Sequence, residues 1–206
     1  MDRAEYWILD SVVDGMRLFG TLHPAVVQEA FNRPGHGLGY DQLLDLLNCL
    51  FQSGDLVANR VSLLNYEDSR LFVPARAELA GLFTVTGDSD VFYGLTAQGG
   101  ACWEAVSAPD WNGFSDCWWT EPDWWGAVGA DRRRVEQYLF SAQVQARVVP
   151  GSEFWEVVRP WQATYWKSLP IAHKVSFRIT ESEEAMPWAA PAAGWYKNYM
   201  EYLCAS

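Results

Sequence analysis

The chain has 206 residues, of which half are hydrophobic, and its 26 acidic residues against 15 basic ones give a formal net charge of -11. This content is enough to bury the core of one large domain or two small ones, and it excludes disorder as the default state. The acidic balance disfavours nucleic acids and anionic membranes as partners and favours a basic protein.

The first fifty residues predict three helices in succession. Apolar residues at helical spacing predict a first helix over 5–16. Thr21 is a candidate N-cap for a second helix that ends at 32–35. A third helix begins at Asp41 or in the preceding turn, and Gly54 is its predicted C-cap. The polar residues expected on the outward face of this third helix are Asp41, Gln42, Asp45, Asn48 and Gln52.

The next fifty residues predict two strands and a closing helix. Residues 55–61 and 91–96 have strand character, and AQGGACWEAV at 97–106 predicts a fourth helix. The interval 62–90 contains a possible helical piece, PARAELAGLF.

The segments LLDLLNCLFQSGDLVANR and YGLTAQGGACWEAV, with the LT-x-x-G turn in the second, resemble winged helix-turn-helix domains of bacterial transcription regulators. The resemblance implies a winged-helix domain over 1–107, in which the third helix would be the recognition helix. The interval 62–90 would be an expanded wing.

The second half of the chain begins with a tryptophan-rich segment, PDWNGFSDCWWTEPDWWG. Its pattern fits neither a regular helix nor an alternating strand, so we expect an ordered linker over 108–129. Residues 130–148 predict a helix begun by Asp131, and 153–180 predict two or three strands broken near Pro160 and Pro170. WYKNYMEYLC at 195–204 predicts a closing helix. The expected fold class is α+β, with the winged-helix-like half packed against this mixed half.

The sequence predicts no catalytic residue, no metal site and no cofactor. The three histidines have no metal-binding spacing, and the four cysteines lie far apart without a CxxC pair. The carboxylates among the tryptophans, which with paired aromatics could form a sugar-cleaving site, are Asp110, Asp116, Glu121 and Asp123. An irregular linker is a poor support for such chemistry, so this alternative is the weaker one.

The favoured hypothesis is a non-enzymatic module that binds a basic protein, with aromatic rings supplying contact area and acids steering the partner. The predicted protein-binding patch consists of Asp116, Trp118, Trp119, Glu121, Asp123, Trp124 and Trp125. One version, by analogy of size and charge alone, is an immunity or antitoxin-like protein that covers the cationic site of a toxin. The alternative role of the same rings is structural, as a core between the two halves.

A transcription regulator that binds DNA as a dimer is the second hypothesis, and it follows from the winged-helix resemblance. The acidic third helix opposes it, because proteins gain most of their affinity for DNA from Lys and Arg. A basic strip that could supply this contact consists of Arg132, Arg133, Arg134, Arg147 and Arg159.

No run of residues approaches the roughly 18 apolar residues of a membrane span, and the first residues lack the pattern of a secretory signal. We therefore expect a soluble, cytoplasmic protein. The sequence does not specify its oligomeric state.

Overall fold

The structure is a computed structural model that describes residues 1–62, 69–83, 89–121, 123–144, 148–180 and 195–196. The chain folds into two compact units. The described residues of the first unit fall within Met1–Ser107 and Thr164–Trp166. Those of the second unit fall within Ala108–Ala163 and Lys167–Lys197. Both units contain helices and strands, so the expected α+β class is confirmed.

In the described part of the chain, the first unit contains five α-helices, a short 3-10 helix and a four-stranded antiparallel sheet. The helices are α1 (Arg3–Asp10), α2 (Val27–Phe31), α3 (Tyr40–Gln52), α4 (Arg76–Leu82) and α5 (Ala97–Ser107), with the 3-10 helix at Phe19–Leu22. The strands are β1 (Arg17–Leu18), β2 (Leu56–Ser62), β3 (Arg70–Phe72) and β4 (Ser89–Leu95). They lie in the order β1-β4-β2-β3.

Two predictions about the first helices are wrong. The first helix ends at Asp10 rather than at residue 16. Val12 and Val13 are buried, as their apolar character suggests, but they lie in the turn that follows the helix. Thr21 caps no helix, since its hydroxyl donates to the carbonyl of Leu18 at 2.6 Å and α2 begins only at Val27.

The core of the first unit encloses an ion pair between Asp10 and Arg33. The Asp10 side chain is fully buried, and its Oδ2 accepts from Nη1 of Arg33 at 2.7 Å while Oδ1 accepts from the indole of Trp103 at 3.2 Å. Burial raises the pKa of Asp10, and the Arg33 charge opposes that rise. The Arg33 guanidinium also lies 4.8 Å from the ring centre of Trp7. This network joins α1 to the residues that follow α2.

Thr164–Trp166 supplies two aromatic side chains to the first unit. The Tyr165 hydroxyl donates to the carbonyl of Val12 at 2.6 Å and accepts from the amide of Leu95 at 2.6 Å. The Trp166 indole donates to the carbonyl of Val13 at 2.9 Å, and its ring covers Gly100 of α5. These bonds satisfy carbonyls in the turn that ends α1.

The second unit, as far as it is described, is a four-stranded antiparallel sheet with one helix and a small hairpin. The strands are β5 (Ser115–Glu121), β6 (Trp124–Gly129), β7 (Phe154–Val158) and β10 (Ala172–Arg178), in the order β5-β6-β10-β7. The helix is α6 (Arg132–Val144), and the hairpin pairs β8 (Trp161–Gln162) with β9 (Ser168–Leu169). The predicted closing helix at 195–204 lies outside the described residues except for Trp195 and Tyr196.

The prediction of a linker over 108–129 is wrong, because β5 and β6 form an antiparallel pair there. The period-two alternation of a strand is hidden in this stretch because tryptophan occurs at both parities. Trp124 and Trp125, for example, are consecutive, so their side chains project to opposite faces of the sheet.

One face of this sheet packs against α6. The buried cluster between them contains Ala127, Val135, Leu139, Ala142, Val175 and Phe177. Trp125, Tyr138 and Trp155 pack against its border. The helix starts where the sequence predicts, since the Asp131 carboxylate accepts from the amide of Arg133 at 2.9 Å. The opposite face of the sheet is covered by no helix among the described residues of this unit, and we call it the open face.

None of the helices in the described part of the chain combines the length and apolar character needed to cross a membrane.

Candidate functional site

The open face carries a row of four residues that runs across all the strands of the second sheet. Trp118 on β5 is opposite Gly126 on β6, Gly126 is opposite Ser176 on β10, and Ser176 is opposite Phe154 on β7. The two central residues are small, so aromatic rings stand only at the two ends. Trp118 is half-buried and Phe154 is 59% exposed.

Charged residues on both sides of this row are paired with one another. Lys174 forms an ion pair with Glu156 opposite it on β7, and its Nζ lies 5.2 Å from the ring centre of Trp118. Arg178 donates from Nε to Oδ2 of Asp123 at 2.8 Å. The open face therefore has aromatic residues within a border of compensated charge.

Asp116 lies on the open face next to this arrangement. It is opposite Val128, which is opposite Lys174, and its carboxylate accepts from the amide of Cys117 at 2.8 Å. Although the residue is exposed as a whole, desolvation of its carboxyl raises the pKa of Asp116 and the bond from Cys117 opposes that rise.

The structure separates the seven residues of the predicted protein-binding patch. Asp116, Trp118 and Trp124 share the open face, and Asp123 stands beside it in the turn between β5 and β6. Trp125 is on the other face and packs against the cluster under α6. The side chains of Trp119 and Glu121 lie outside the described part of the molecule, although Trp119 is opposite Trp125 in register.

Four residues of the open face were not predicted from the sequence: Phe154, Glu156, Lys174 and Arg178. For β10, the alternation of apolar and polar residues in VSFR indicates which side chains share a face: Val175 and Phe177 are buried, and Ser176 and Arg178 are not. The sequence does not indicate which strands are neighbours, because β10, the last strand that the structure describes, lies between β6 and β7 and pairs with both.

Several tryptophans outside the predicted patch pack against other aromatic rings of their own unit. Trp7, Trp103 and Trp166 belong to the first unit, where Trp103 meets Trp166 edge to face at 6.1 Å. In the second unit, Phe114 contacts both Trp161 and Trp195, at 5.9 and 4.8 Å between ring centres. Of the predicted patch, Trp125 packs against the cluster under α6, whereas Trp118 and Trp124 are half-buried on the open face. The alternative in which the rings of the patch form a core between the two halves stays a prediction.

The predicted recognition face of α3 is polar and mostly exposed. Asp41, Gln42, Asp45 and Gln52 are exposed, and Asn48 is half-buried. Asp45 accepts from Nε of Arg76 on α4 at 2.9 Å, and Gln42 accepts from the amide of Gly39 at 3.0 Å. Two of the five side chains are thus engaged by their own unit.

The predicted basic strip is partly neutralised. Arg132 pairs with Glu136 at 2.8 Å and lies over the ring of Trp155, whereas Arg133 and Arg159 are exposed. Arg147 lies outside the described residues. Of the four carboxylates considered for sugar cleavage, Asp110 accepts from the amide of Asn112 in a turn and Asp123 is held by Arg178.

Three of the cysteines are described, and all are free thiols: Cys49 and Cys102 are exposed and Cys117 is half-buried. Within the described part of the chain, no group of three or more His, Cys, Asp or Glu residues could hold a metal ion.

Comparisons of the chain with protein-family models, with curated proteins and with solved structures found no match.

Proposed function

We propose that the protein is a non-enzymatic, acidic protein-binding module and that its open face receives the partner. The observation that carries the proposal is the placement of Trp118 and Trp124 on a sheet face that no helix of the second unit covers among the described residues. Aromatic residues surrounded by a polar border are the common composition of an interface hot spot, because they bury large area at little entropic cost.

The charge of the chain favours a basic partner. The members of the ion pairs Lys174–Glu156 and Arg178–Asp123 neutralise each other, so these four side chains contribute shape and hydrogen-bonding groups rather than net charge. The formal charge of -11 over the whole chain then supplies the long-range attraction that steers a cationic protein towards it. A toxin neutralised by an immunity or antitoxin-like protein is one partner of this kind, and size and charge are the support for this version.

The test is capture of a partner with the wild-type chain and with the double variant Trp118→Ala/Trp124→Ala. Partners retained by the wild type are identified, purified and titrated against both chains by calorimetry. The proposal expects a basic protein whose affinity falls at least about tenfold in the variant, since loss of a hot-spot side chain costs more than about 1.4 kcal/mol. Equal affinity for both chains would refute the open face as the binding surface.

We further propose that the first unit is a winged-helix variant with an expanded wing. Its support is the order of elements, in which β1, placed between α1 and α2, pairs with β4 after the interval that follows β2. This order makes a DNA-binding regulator the second candidate function. The acids on α3 and the Asp45–Arg76 pair oppose it, because a recognition helix gains affinity from unpaired Lys and Arg.

Titration with duplex DNA of mixed sequence at several salt concentrations distinguishes the two functions. A regulator would bind, with an affinity that falls steeply as salt rises. The protein-binding module is expected to show no such binding.

A further inference from the structure

Strand β7 is one edge of the second sheet, and among the described residues it has neither a bulge nor a charge that is left without a partner. No strand among the described residues pairs with its outer side. Proteins usually protect an edge with a bulge, a charge or a very short strand, because its free backbone groups otherwise pair with another chain. The opposite edge, β5, has a register shift between Trp119 and Glu121 and carries Asp116. Strand β7 is five residues of FWEVV in unbroken register with β10, and its one charged residue, Glu156, is paired with Lys174.

The exposed hydrophobic side chains of the second unit are confined to β7 and α6. Among its described residues, the large hydrophobic side chains that are more than a third exposed are Phe140, Val144, Phe154 and Val157, at 65%, 67%, 59% and 51%. Two of these four side chains, Phe154 and Val157, therefore lie on the unpaired edge strand itself.

Phe140 lies in a row of α6 positions that begins beside β7. The Arg132 guanidinium lies 5.1 Å from the ring centre of Trp155 on β7, and Gln143 donates to Oε1 of Glu153 at 3.0 Å. Phe140 follows Arg132 by two turns, in the row that includes Glu136. Phe140 and the edge strand thus flank the same border of the unit.

We propose that this border is an interface between two copies of the chain, in which the β7 strands pair antiparallel about a two-fold axis at Glu156. In this register Trp155 is opposite Val157 of the second copy, and Phe154 is opposite Val158. The two four-stranded sheets join into one sheet of eight strands, and both backbones gain the hydrogen bonds that an edge leaves open.

Charge complementarity selects a second copy as the occupant. Glu153 precedes β7 and Arg159 follows it, so the two-fold places Glu153 of each copy opposite Arg159 of the other. Arg159 is exposed and no acid among the described residues pairs with it. At the axis, each Glu156 is neutralised by its own Lys174. A generic extended peptide would offer no such reciprocal pair of charges.

The first test is sedimentation of the full chain over a range of concentrations at physiological salt, with a lysine placed on the edge. A dimer is expected for the wild type and a monomer for Val157→Lys, since the lysine would stand opposite Trp155 of the second copy rather than opposite an acid that neutralises its charge. Val73→Lys is the matched control, because Val73 is also 51% exposed but belongs to the first unit, and it should remain dimeric. A wild-type monomer at every concentration, or a dimer that Val157→Lys leaves intact, would overturn the proposal.

Charge reversal tests the register and remains decisive if Val157→Lys fails to fold. Glu153→Arg and Arg159→Glu should each raise the dissociation constant of the dimer about tenfold, because each makes two like-charge contacts. The double variant should restore the wild-type value. The two positions are about 20 Å apart along one strand, too far to rescue each other within a copy. A double variant no tighter than the single variants would overturn this register.

Discussion

The Trp118 indole covers Gly126, the residue opposite it on the neighbouring strand. A Cβ at position 126 would overlap Cζ2 of that ring, so the glycine makes the close approach possible. The Lys174 ammonium also lies 5.2 Å from the centre of this ring. The position of the main aromatic ring on the open face thus depends on a glycine that is buried beneath it.

Gly126→Ala is expected to displace the Trp118 ring and to weaken partner binding at least about tenfold, while the unit stays folded because a half-buried ring on an edge strand can move outwards. Unfolding in urea and calorimetric titration measure the two effects. The control is Gly15→Ala, since a Cβ there meets no atom within 4 Å. Unchanged affinity in Gly126→Ala would show that the ring position does not matter.

Gly100→Ala should destabilise the first unit by about 1–3 kcal/mol, because its Cβ would overlap the Trp166 ring in a packed region. Gly81→Ala is the comparison within a helix of the same unit, where a Cβ meets no atom within 4 Å. Removing that glycine should stabilise the chain by about 0.5–1 kcal/mol. Urea unfolding of both variants measures the difference, and equal effects would contradict the packing of Trp166 on α5.

Buried His36 makes the first unit sensitive to acid. Its Nε2 donates to the carbonyl of Leu22 at 2.9 Å, and its Nδ1 accepts from the amide of Leu38 at 3.1 Å, so a proton on Nδ1 would break the second bond. Burial lowers the pKa of His36 below its ordinary value of 6.5. Because the unfolded chain takes the proton more readily, stability is present above pH 6.5 and is lost as pH falls below it.

His36→Gln should therefore show a smaller loss of unfolding free energy between pH 7.5 and about pH 5 than the wild type does, and His23→Gln serves as the control. The same loss in His36→Gln and the wild type would show that another group is responsible.

Arg33→Met should cost about 3–5 kcal/mol of stability, because it leaves the buried carboxylate of Asp10 without its cation. The double variant Asp10→Asn/Arg33→Met should recover part of that loss, since it removes the buried charge. Arg76→Met tests an exposed pair, where Arg76 and Asp45 are 44% and 70% exposed, and should change stability by about 0–1 kcal/mol. Similar costs for Arg33→Met and Arg76→Met in urea unfolding would contradict this ranking.

Local signals predicted the regular elements well. The apolar spacing of α3, the capping aspartate of α6 and the strand composition of β2 and β4 all act within a few residues, and each element lies close to its predicted position. The first helix was predicted too long because Val12 and Val13 are buried without being helical. Apolar residues at helical spacing indicate burial as much as they indicate a helix, so they do not mark where the helix ends. The start of the helix is marked by the capping box that Asp2 and Glu5 form.

The open face could not be predicted in full, because its composition depends on pairing between distant strands. Trp118 and Phe154 are 36 positions apart, and they share a row only because β10 enters between β6 and β7. The expected patch treated consecutive tryptophans as one surface, although adjacent strand residues project to opposite faces. The hairpin therefore assigns Trp124 and Trp125 to different surroundings.

The most direct measurement is the affinity of a captured, purified partner for the wild-type chain and for Trp118→Ala/Trp124→Ala, compared at equal folded fraction. The proposed function predicts a basic protein that binds the wild type after nuclease treatment and binds the variant at least about tenfold more weakly, with unfolding curves that remain cooperative. A partner that binds both chains equally, or retention of nucleic acid alone that nuclease treatment abolishes, would contradict it.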